Sequence, residues 1–145
     1  MVHRMVAVVV AVVVVALQPA AARPASICGT PKAQALAASY RRYRAQKTAN
    51  PDLRTPELSN WDGDMHRVMA DLGVELAKSD ATAECVERLL GPPDAVYTHG
   101  DRAYTGPVPT GECHLVYWWR GGHDVLYFVV RKNRVAAARW WFAYE

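Results

Sequence analysis

Hydrophobic residues recur along this chain at two different spacings, and the spacing changes after residue 93. Between Thr30 and Gly91 the apolar positions return about every three to four residues, which is typical of amphipathic helices. From about His114 onward apolar residues alternate with polar or aromatic ones, which is typical of strands. Helices followed by an antiparallel sheet belong to the α+β class. We therefore predict N-terminal helices packed on a three-stranded antiparallel meander sheet, in two layers.

The first predicted helix has a well-marked beginning. Thr30 is a preferred N-cap residue, and Pro31 follows it at the first helical position. The helical spacing continues to about Lys47 on a thin apolar stripe that includes Tyr40. Residues 48–60, which contain two prolines, are interpreted as a linker. We expect three arginines of this helix to point outward: Arg41, Arg42 and Arg44.

Two further helices are predicted to form a hairpin. The first of them covers residues 64–77, where Met, Val and Leu side chains share one stripe. The next is short, because Thr82 caps its start, Gly91 ends it, and two prolines follow directly.

Three strands are predicted after a loop. Residues 97–111 are rich in Gly, Pro, Asp and Thr and are interpreted as that loop, with or without a short strand at its start. Gly121-Gly122 and Lys132-Asn133 have the composition of hairpin turns. The strands that these turns join are His114–Arg120, Val125–Arg131 and Val135–Tyr144.

The N-terminus has the organisation of a secretory signal peptide. A basic start at Arg4 precedes an apolar run over residues 5–17, and small alanines follow. We predict cleavage after Ala22, with Ala25 or Ser26 as the alternative site. A retained membrane anchor is the other interpretation, but the apolar run is shorter than the roughly 20 residues that a bilayer requires. We therefore expect a secreted or periplasmic protein without a membrane span after cleavage.

The remainder has the length and charge of one small, mildly basic domain. Its formal net charge falls from +3 to +2 when the predicted signal peptide is removed, because Arg4 is the only formally charged side chain there. A charge this small does not indicate nucleic acid as a partner. The predicted organisation is a signal peptide over 1–22, an N-terminal helix with a Pro-containing linker over 23–59, and an α+β domain over 60–145.

Three cysteines follow the predicted cleavage site, and an odd number leaves one thiol over in an oxidising compartment. We predict a disulfide between Cys85 and Cys113, because both lie in segments predicted to be ordered and packed together. Cys28 would then be available to a second chain, and three reduced thiols are the alternative. Lipidation of Cys28 is the less favoured alternative, because a bacterial lipoprotein signal has a small residue before the cysteine and Ile27 is large. No Cys-x-x-Cys pair occurs and the histidines are scattered, so neither a metal site nor a cofactor is predicted.

Alternation along the strands assigns their residues to two faces of the sheet. The face predicted to pack on the helices is mainly apolar: Leu115, Tyr117, Trp119, Leu126, Phe128, Val130, Ala136, Ala138, Trp140, Phe142 and Tyr144. The second face combines aromatic and arginine side chains: Trp118, Arg120, Tyr127, Arg131, Arg139 and Trp141.

The second face is the predicted binding site. Trp, Tyr and Arg are enriched among the residues that dominate binding energy. The first hypothesis is therefore a binding or assembly module that docks a partner protein, or stacks a sugar or another planar ligand, on this face. The alternative is that the first helix lies across the face, with Tyr40 and Tyr43 pointing down, because sheets with aromatic residues on both faces are usually covered on both.

Side chains suited to catalysis are sparse. His123 and Asp124 are adjacent in a predicted turn, and His99 lies in the loop. A small hydrolase or ligand-processing enzyme that uses these residues is the second hypothesis. Neither a nucleophile elbow nor a Gly-rich phosphate loop follows a strand. A secreted effector that acts on another organism is the third hypothesis.

One segment resembles a known family. Residues 82–94, with the order Thr-Ala-Glu-Cys-Val-Glu-Arg-Leu-Leu-Gly-Pro-Pro-Asp, are similar to the helix-closing segment of the BamE-like family of small envelope proteins. Segments 115–118 and 126–128 also lie where that family places strands. The resemblance covers residues 64–145 and implies an interaction module rather than a catalyst. The chain departs from the family at the lipid anchor, where Ile27 precedes Cys28, and in its Arg-rich first helix.

Overall fold

The computed structural model describes residues 28–143. The predicted signal peptide and its cleavage sites at Ala22, Ala25 and Ser26 lie outside the described residues. Within 28–143, no helix is long and apolar enough to cross a membrane. The elements in chain order are α1 (Pro31–Ala49), α2 (Pro56–Ser59), α3 (Asp64–Lys78), α4 (Ala83–Leu90), β1 (Ala95–Thr98), β2 (Glu112–Trp119), β3 (Gly121–Arg131) and β4 (Arg134–Phe142).

The predicted start of α1 is confirmed. The Oγ1 of Thr30 accepts a hydrogen bond from the backbone N–H of Ala33 at 3.1 Å, and Pro31 is the first helical residue. A capping side chain of this kind satisfies a backbone N–H that has no partner within the helix. The helix ends at Ala49, two residues beyond the predicted end at Lys47.

The arginines of α1 do not all point outward as predicted. Arg41 donates to the carbonyl oxygen of Leu89, and Arg44 donates to those of Leu90 at 3.3 Å and Pro92 at 2.8 Å. The carbonyls at the end of a helix lack intrahelical donors and carry partial negative charge, so cations are favourable there. Two of the three predicted outward arginines therefore join α1 to the C-terminal end of α4.

The hairpin of α3 and α4 has the predicted caps. Thr82 accepts a hydrogen bond from the N–H of Cys85 at 3.2 Å and begins α4. Gly91 ends it with a φ of +84°, a conformation that glycine adopts without strain. The segment predicted as a linker contains the single turn α2, whose Leu58 is buried.

The fold is α+β, but the sheet has four antiparallel strands instead of the predicted three, in the order β1-β2-β3-β4. The additional strand β1 pairs with β2 from Ala95 opposite Val116 to Thr98 opposite Cys113. The four residues of β1, which begin one residue after two prolines, give too short an alternation to distinguish a strand from a loop.

The turn between β3 and β4 is confirmed at the predicted position. Lys132 and Asn133 both have positive φ, at 48° and 62°. Two such residues form the tight turn whose twist matches that of an antiparallel pair. At the other turn β3 begins at Gly121, four residues before the predicted Val125.

A bulge in β4 changes which residue enters the core. Val129 pairs with Ala137 and Val130 with Val135, so Ala136 is the extra residue of a β-bulge. Ala136 is exposed and Val135 is buried. The prediction that Ala136 faces the helices is therefore wrong, because strict alternation does not continue through a bulge. Tyr144, predicted on the same face, lies outside the described residues.

The main core lies between the helices and one face of the sheet. Tyr117, Trp119 and Phe128 are fully buried there, as alternation predicts. The ring of Tyr40 on α1 meets that of Tyr117 edge to face at 6.3 Å. Because α1 lies on this side, the alternative in which it covers the second face is wrong.

A histidine is enclosed by tryptophans at one end of the core. The ring of His66 lies 4.5 Å from that of Trp61, 4.6 Å from Trp119 and 5.0 Å from Trp140. Its Nδ1 is buried without a hydrogen-bond partner. Burial lowers the pKa of His66, the carboxylate of Asp62 at 3.8 Å from Nδ1 opposes this effect, and Arg120 adds a smaller lowering.

The disulfide joins Cys28 to Cys85, with Cα atoms 5.4 Å apart, and Cys113 is a free thiol. The predicted pair of Cys85 and Cys113 is therefore wrong, and Cys28 is not available to a second chain. The start of α1 lies against α4. The two are so close that a Cβ at position 29, where the chain has glycine, would lie 3.0 Å from the side chain of Leu89. This contact between helix surfaces places Cys28 beside Cys85.

Candidate functional site

The sheet face opposite the helices is partly covered by the loop between β1 and β2, residues 99–111. The Nδ1 of His99 lies 3.0 Å from the carbonyl oxygen of Val108, and Val108 is buried. The ring of Tyr104 lies 5.3 Å from that of Tyr97 and 4.7 Å from that of Trp141. We call this side of the sheet the outer face: Tyr97, His114, Val116, Trp118, Val125, Tyr127, Val129, Ala137, Arg139 and Trp141.

A small second core lies beneath this loop. It consists of Val116, Val125, Tyr127 and Val129, with Tyr104 and Trp141 packed against it. Packed apolar residues of this kind form the floor of many ligand sites, because they hold the contacting side chains in a fixed geometry.

A cleft of about 460 Å³ opens beside this second core, between the loop and strands β2 to β4. We call it the outer cleft. Its volume lies within the range of small-molecule and peptide side-chain pockets, roughly 300–1,000 Å³. Its polar lining is Thr105, Glu112, His114, Tyr127, Arg131 and Arg139.

His114 lies in the outer cleft in a defined orientation. Its Nδ1 is 2.8 Å from the Oγ1 of Thr105, and its ring lies 5.0 Å from that of Tyr127. Burial lowers the pKa of His114, and the charge of Arg139 acts in the same direction, while Glu112 opposes both. The imidazole is therefore neutral at pH 7.

The two arginines of the outer cleft differ in their partners. The Nε of Arg131 donates to Oε1 of Glu112 at 2.8 Å, and its Nη2 donates to the same oxygen. Arg139 makes neither a hydrogen bond nor an ion pair with any residue of the described chain. Its guanidinium is exposed at the rim and keeps its donors available.

The six residues predicted for the binding face do not form one patch. Tyr127, Arg131 and Arg139 line the outer cleft. Trp141 is half-buried beneath Tyr104, whereas Trp118 is 44 % exposed and its indole N–H donates to the hydroxyl of Tyr104 at 3.3 Å. These two tryptophans therefore hold the loop and do not line the cleft.

Arg120, the sixth predicted residue, lies outside this site. Its Nε donates to Oδ2 of Asp124 at 2.6 Å, and its guanidinium lies 4.3 Å from the ring centre of Trp119. β2 ends at Trp119 and β3 begins at Gly121, so Arg120 lies in the connection between them, and the alternation that predicted Arg120 beside Trp118 does not extend to it.

Three residues of the outer cleft were missed by the sequence prediction: Thr105, Glu112 and His114. Thr105 belongs to the loop, and Glu112 precedes the predicted start of β2 at His114. His114 does follow the alternation of Val116 and Trp118, so strand periodicity would have placed it on the outer face.

The residues of the hydrolase hypothesis lie far apart. His99 follows β1, at the end of the sheet where β3 reaches Val130, whereas His123 is seven residues earlier in β3. At about 3.3 Å per residue this separates them by roughly 20 Å. Asp124 is bonded to Arg120. These side chains do not share a site.

Among residues 28–143, no group of three or more His, Cys, Asp or Glu side chains is placed to hold a metal ion. No protein-family model, curated protein or solved structure matches the chain.

Proposed function

We propose that this chain is an exported binding module that holds a segment of a partner protein in the outer cleft. The observation that carries the proposal is Arg139, which has no hydrogen-bond or ion-pair partner among residues 28–143 and lies at the rim of a cleft beside a packed apolar core. The partner segment would bring a carboxylate to Arg139 and apolar atoms to the floor.

Preorganisation supports this proposal. His114 and Tyr127 are oriented by each other and by Thr105, so a ligand that contacts them orders few additional side chains. Hydrogen bonds between a guanidinium and a carboxylate are roughly twice as strong as neutral ones. Arg131 already shares such a contact with Glu112, so Arg139 is the residue that gains most from an incoming carboxylate.

Export is supported by the predicted signal peptide and by the disulfide between Cys28 and Cys85. Disulfides persist in oxidising compartments and are rare in the cytosol. The resemblance of residues 64–145 to BamE-like proteins also favours an interaction module. None of these observations favours the hydrolase hypothesis, whose residues are separated.

Site-specific crosslinking tests the proposal. A photo-crosslinking residue in place of Ala136, which is exposed and lines the outer cleft, is expected to capture a partner in the exported compartment. The same residue in place of Val74, exposed on the helix side, is the matched control and should capture nothing comparable.

An arginine variant then assigns the contact. Arg139→Gln is expected to weaken capture by about tenfold or more, because a hydrogen bond to a charged group contributes about 1.5–3 kcal/mol. Arg102→Gln removes an equally exposed arginine from the loop, outside the cleft lining, and should leave capture unchanged. Equal capture by Arg139→Gln and the wild type would refute the proposed site.

A further inference from the structure

A second cavity lies at the end of the sheet where β2 ends and β3 begins, opposite the end at which the loop over residues 99–111 joins β1 to β2. It has a volume of about 290 Å³ and is formed by the last turns of α1, the segment after it and the end of β2. We call it the basic pocket, because three cationic side chains and one carboxylate line it: Arg44, Lys47, Arg54 and Asp94.

The single carboxylate of the basic pocket is fully engaged. Oδ1 of Asp94 accepts a hydrogen bond from Nη2 of Arg44 at 2.8 Å. Its Oδ2 accepts one from the backbone N–H of Trp118, also at 2.8 Å. Asp94 therefore balances Arg44, and the other two positive charges of the pocket have no carboxylate partner within the part of the chain that the structure describes.

Lys47 is one of these two cations. It is half-buried, and its ammonium donates to the backbone carbonyl of Trp119. Burial lowers the pKa of Lys47, and the charge of Arg54 lowers it further; Asp94 opposes them, and Arg120 adds a smaller lowering. The group therefore lies in a positive potential that an incoming anion would relieve.

Arg54 is the other cation, and its orientation is fixed by its own loop. Its Nη1 donates to the carbonyl oxygens of Pro51 at 2.8 Å and Leu53 at 3.2 Å. A guanidinium has five N–H donors, so most of them remain for a ligand. Arg120, whose charge also acts on Lys47, is already paired with Asp124.

An exposed aromatic ring borders these cations. Trp118 lines the basic pocket, and its indole N–H is held by the hydroxyl of Tyr104. An indole fixed in this way offers a flat apolar surface at the border of the cavity that Lys47 and Arg54 also line. A volume near the lower limit of ligand pockets suits one small ring and not a folded chain.

We propose that the basic pocket binds an oxyanion carried on a flat ring, with the oxyanion between Lys47 and Arg54 and the ring on Trp118. The oxyanion is a carboxylate, phosphate or sulfate, since each accepts hydrogen bonds from ammonium and guanidinium groups. The ring is either a sugar or an aromatic ring, because both present a flat apolar surface to an indole.

Titration of the exported chain, with its disulfide intact, tests this proposal. The probes are glucuronate and benzoate as ring-bound oxyanions, inorganic phosphate as an oxyanion without a ring, and glucose as a ring without charge. We expect saturable binding of glucuronate or benzoate, observed as a shift of the NMR signal of the Trp118 indole N–H. The variant Trp118→Phe assigns this signal, because the signal is absent from its spectrum. Glucuronate bound in preference to benzoate would assign a sugar, and the reverse an aromatic acid.

Two variants with the same charge change separate the pocket from general electrostatics. Arg54→Gln is expected to weaken binding by about tenfold or more. It should fold normally, because Arg54 is exposed and bonds only to its own loop. Arg42→Gln removes an exposed arginine of α1 outside the pocket lining and should leave binding unchanged.

Three results would overturn the proposal: no saturable shift with either ring-bound oxyanion, equal binding by Arg54→Gln and the wild type, or binding of glucose or inorganic phosphate as tight as that of both acids. None of these results bears on the outer cleft, which shares neither Lys47 nor Arg54. Loss of partner capture in Arg139→Gln likewise leaves the basic pocket unaffected.

Discussion

Removal of the disulfide between Cys28 and Cys85 is expected to lower the free energy of unfolding by about 4 kcal/mol. The two cysteines are 57 residues apart in sequence, and the chain-entropy model gives this value for a loop of that length. The double variant Cys28→Ser, Cys85→Ala is the appropriate perturbation. It leaves no unpaired thiol at either position, and it puts no hydroxyl at Cys85, which is buried.

Equilibrium unfolding in guanidinium chloride measures this loss. Cys113→Ser is the matched control, because Cys113 is free and half-buried, and it should cost less than about 1 kcal/mol. Titration of the unfolded wild type with a thiol reagent should find one free thiol, at Cys113. A loss below about 1 kcal/mol in the double variant, or a larger loss in Cys113→Ser, would refute the assigned pairing.

Three further predictions concern single side chains, each measured by the free energy of unfolding. Gly63→Ala should cost about 2 kcal/mol or more, because a Cβ there would lie 2.4 Å from a backbone carbonyl oxygen, whereas Gly122→Ala meets nothing within 4 Å and should be close to neutral. Tyr117→Phe should cost about 1–2 kcal/mol by leaving the half-buried carbonyl of Gly91 without its donor, while Tyr40→Phe, which removes a buried hydroxyl that has no hydrogen-bond partner among residues 28–143, should be neutral or stabilising. Burial lowers the pKa of His66 in the folded state, so its contribution to stability is complete above about pH 6.5 and decreases as the pH falls below that value. The variant His66→Phe should show a weaker dependence of the free energy of unfolding on pH. A wild type that became more stable as the pH was lowered from about 6.5 to 5 would contradict the prediction.

The features that could be predicted from the sequence are those that depend on neighbouring residues. Thr30 and Pro31 begin α1 because a hydroxyl and a fixed φ suit the first turn of any helix. Thr82 and Gly91 delimit α4 for the same local reasons. The inner face of the sheet follows from alternation wherever the strands are regular.

The features that could not be predicted depend on how elements meet. The disulfide requires α1 to pack on α4, and neither the spacing nor the surroundings of Cys28 in the sequence contain that contact. The loop over residues 99–111 has the composition of a flexible connection, yet Tyr104 packs between Tyr97 and Trp141 and turns it into a cover. Composition describes which conformations a loop tolerates, and the packing of its one large ring selects among them.

The point at which β2 ends accounts for the separation of Arg120 from the rest of the predicted binding face. If β2 continued through residue 120, alternation would place Arg120 beside Trp118 on the outer face. Arg120 instead lies in the connection between β2 and β3, where it bonds to Asp124 and lies over the ring of Trp119, while Trp118 borders the basic pocket. Arg139 and Tyr127 pair with each other within regular strands and line the outer cleft. The substitutions Arg139→Gln and Arg54→Gln should therefore impair different ligands independently, because the two sites share no lining residue.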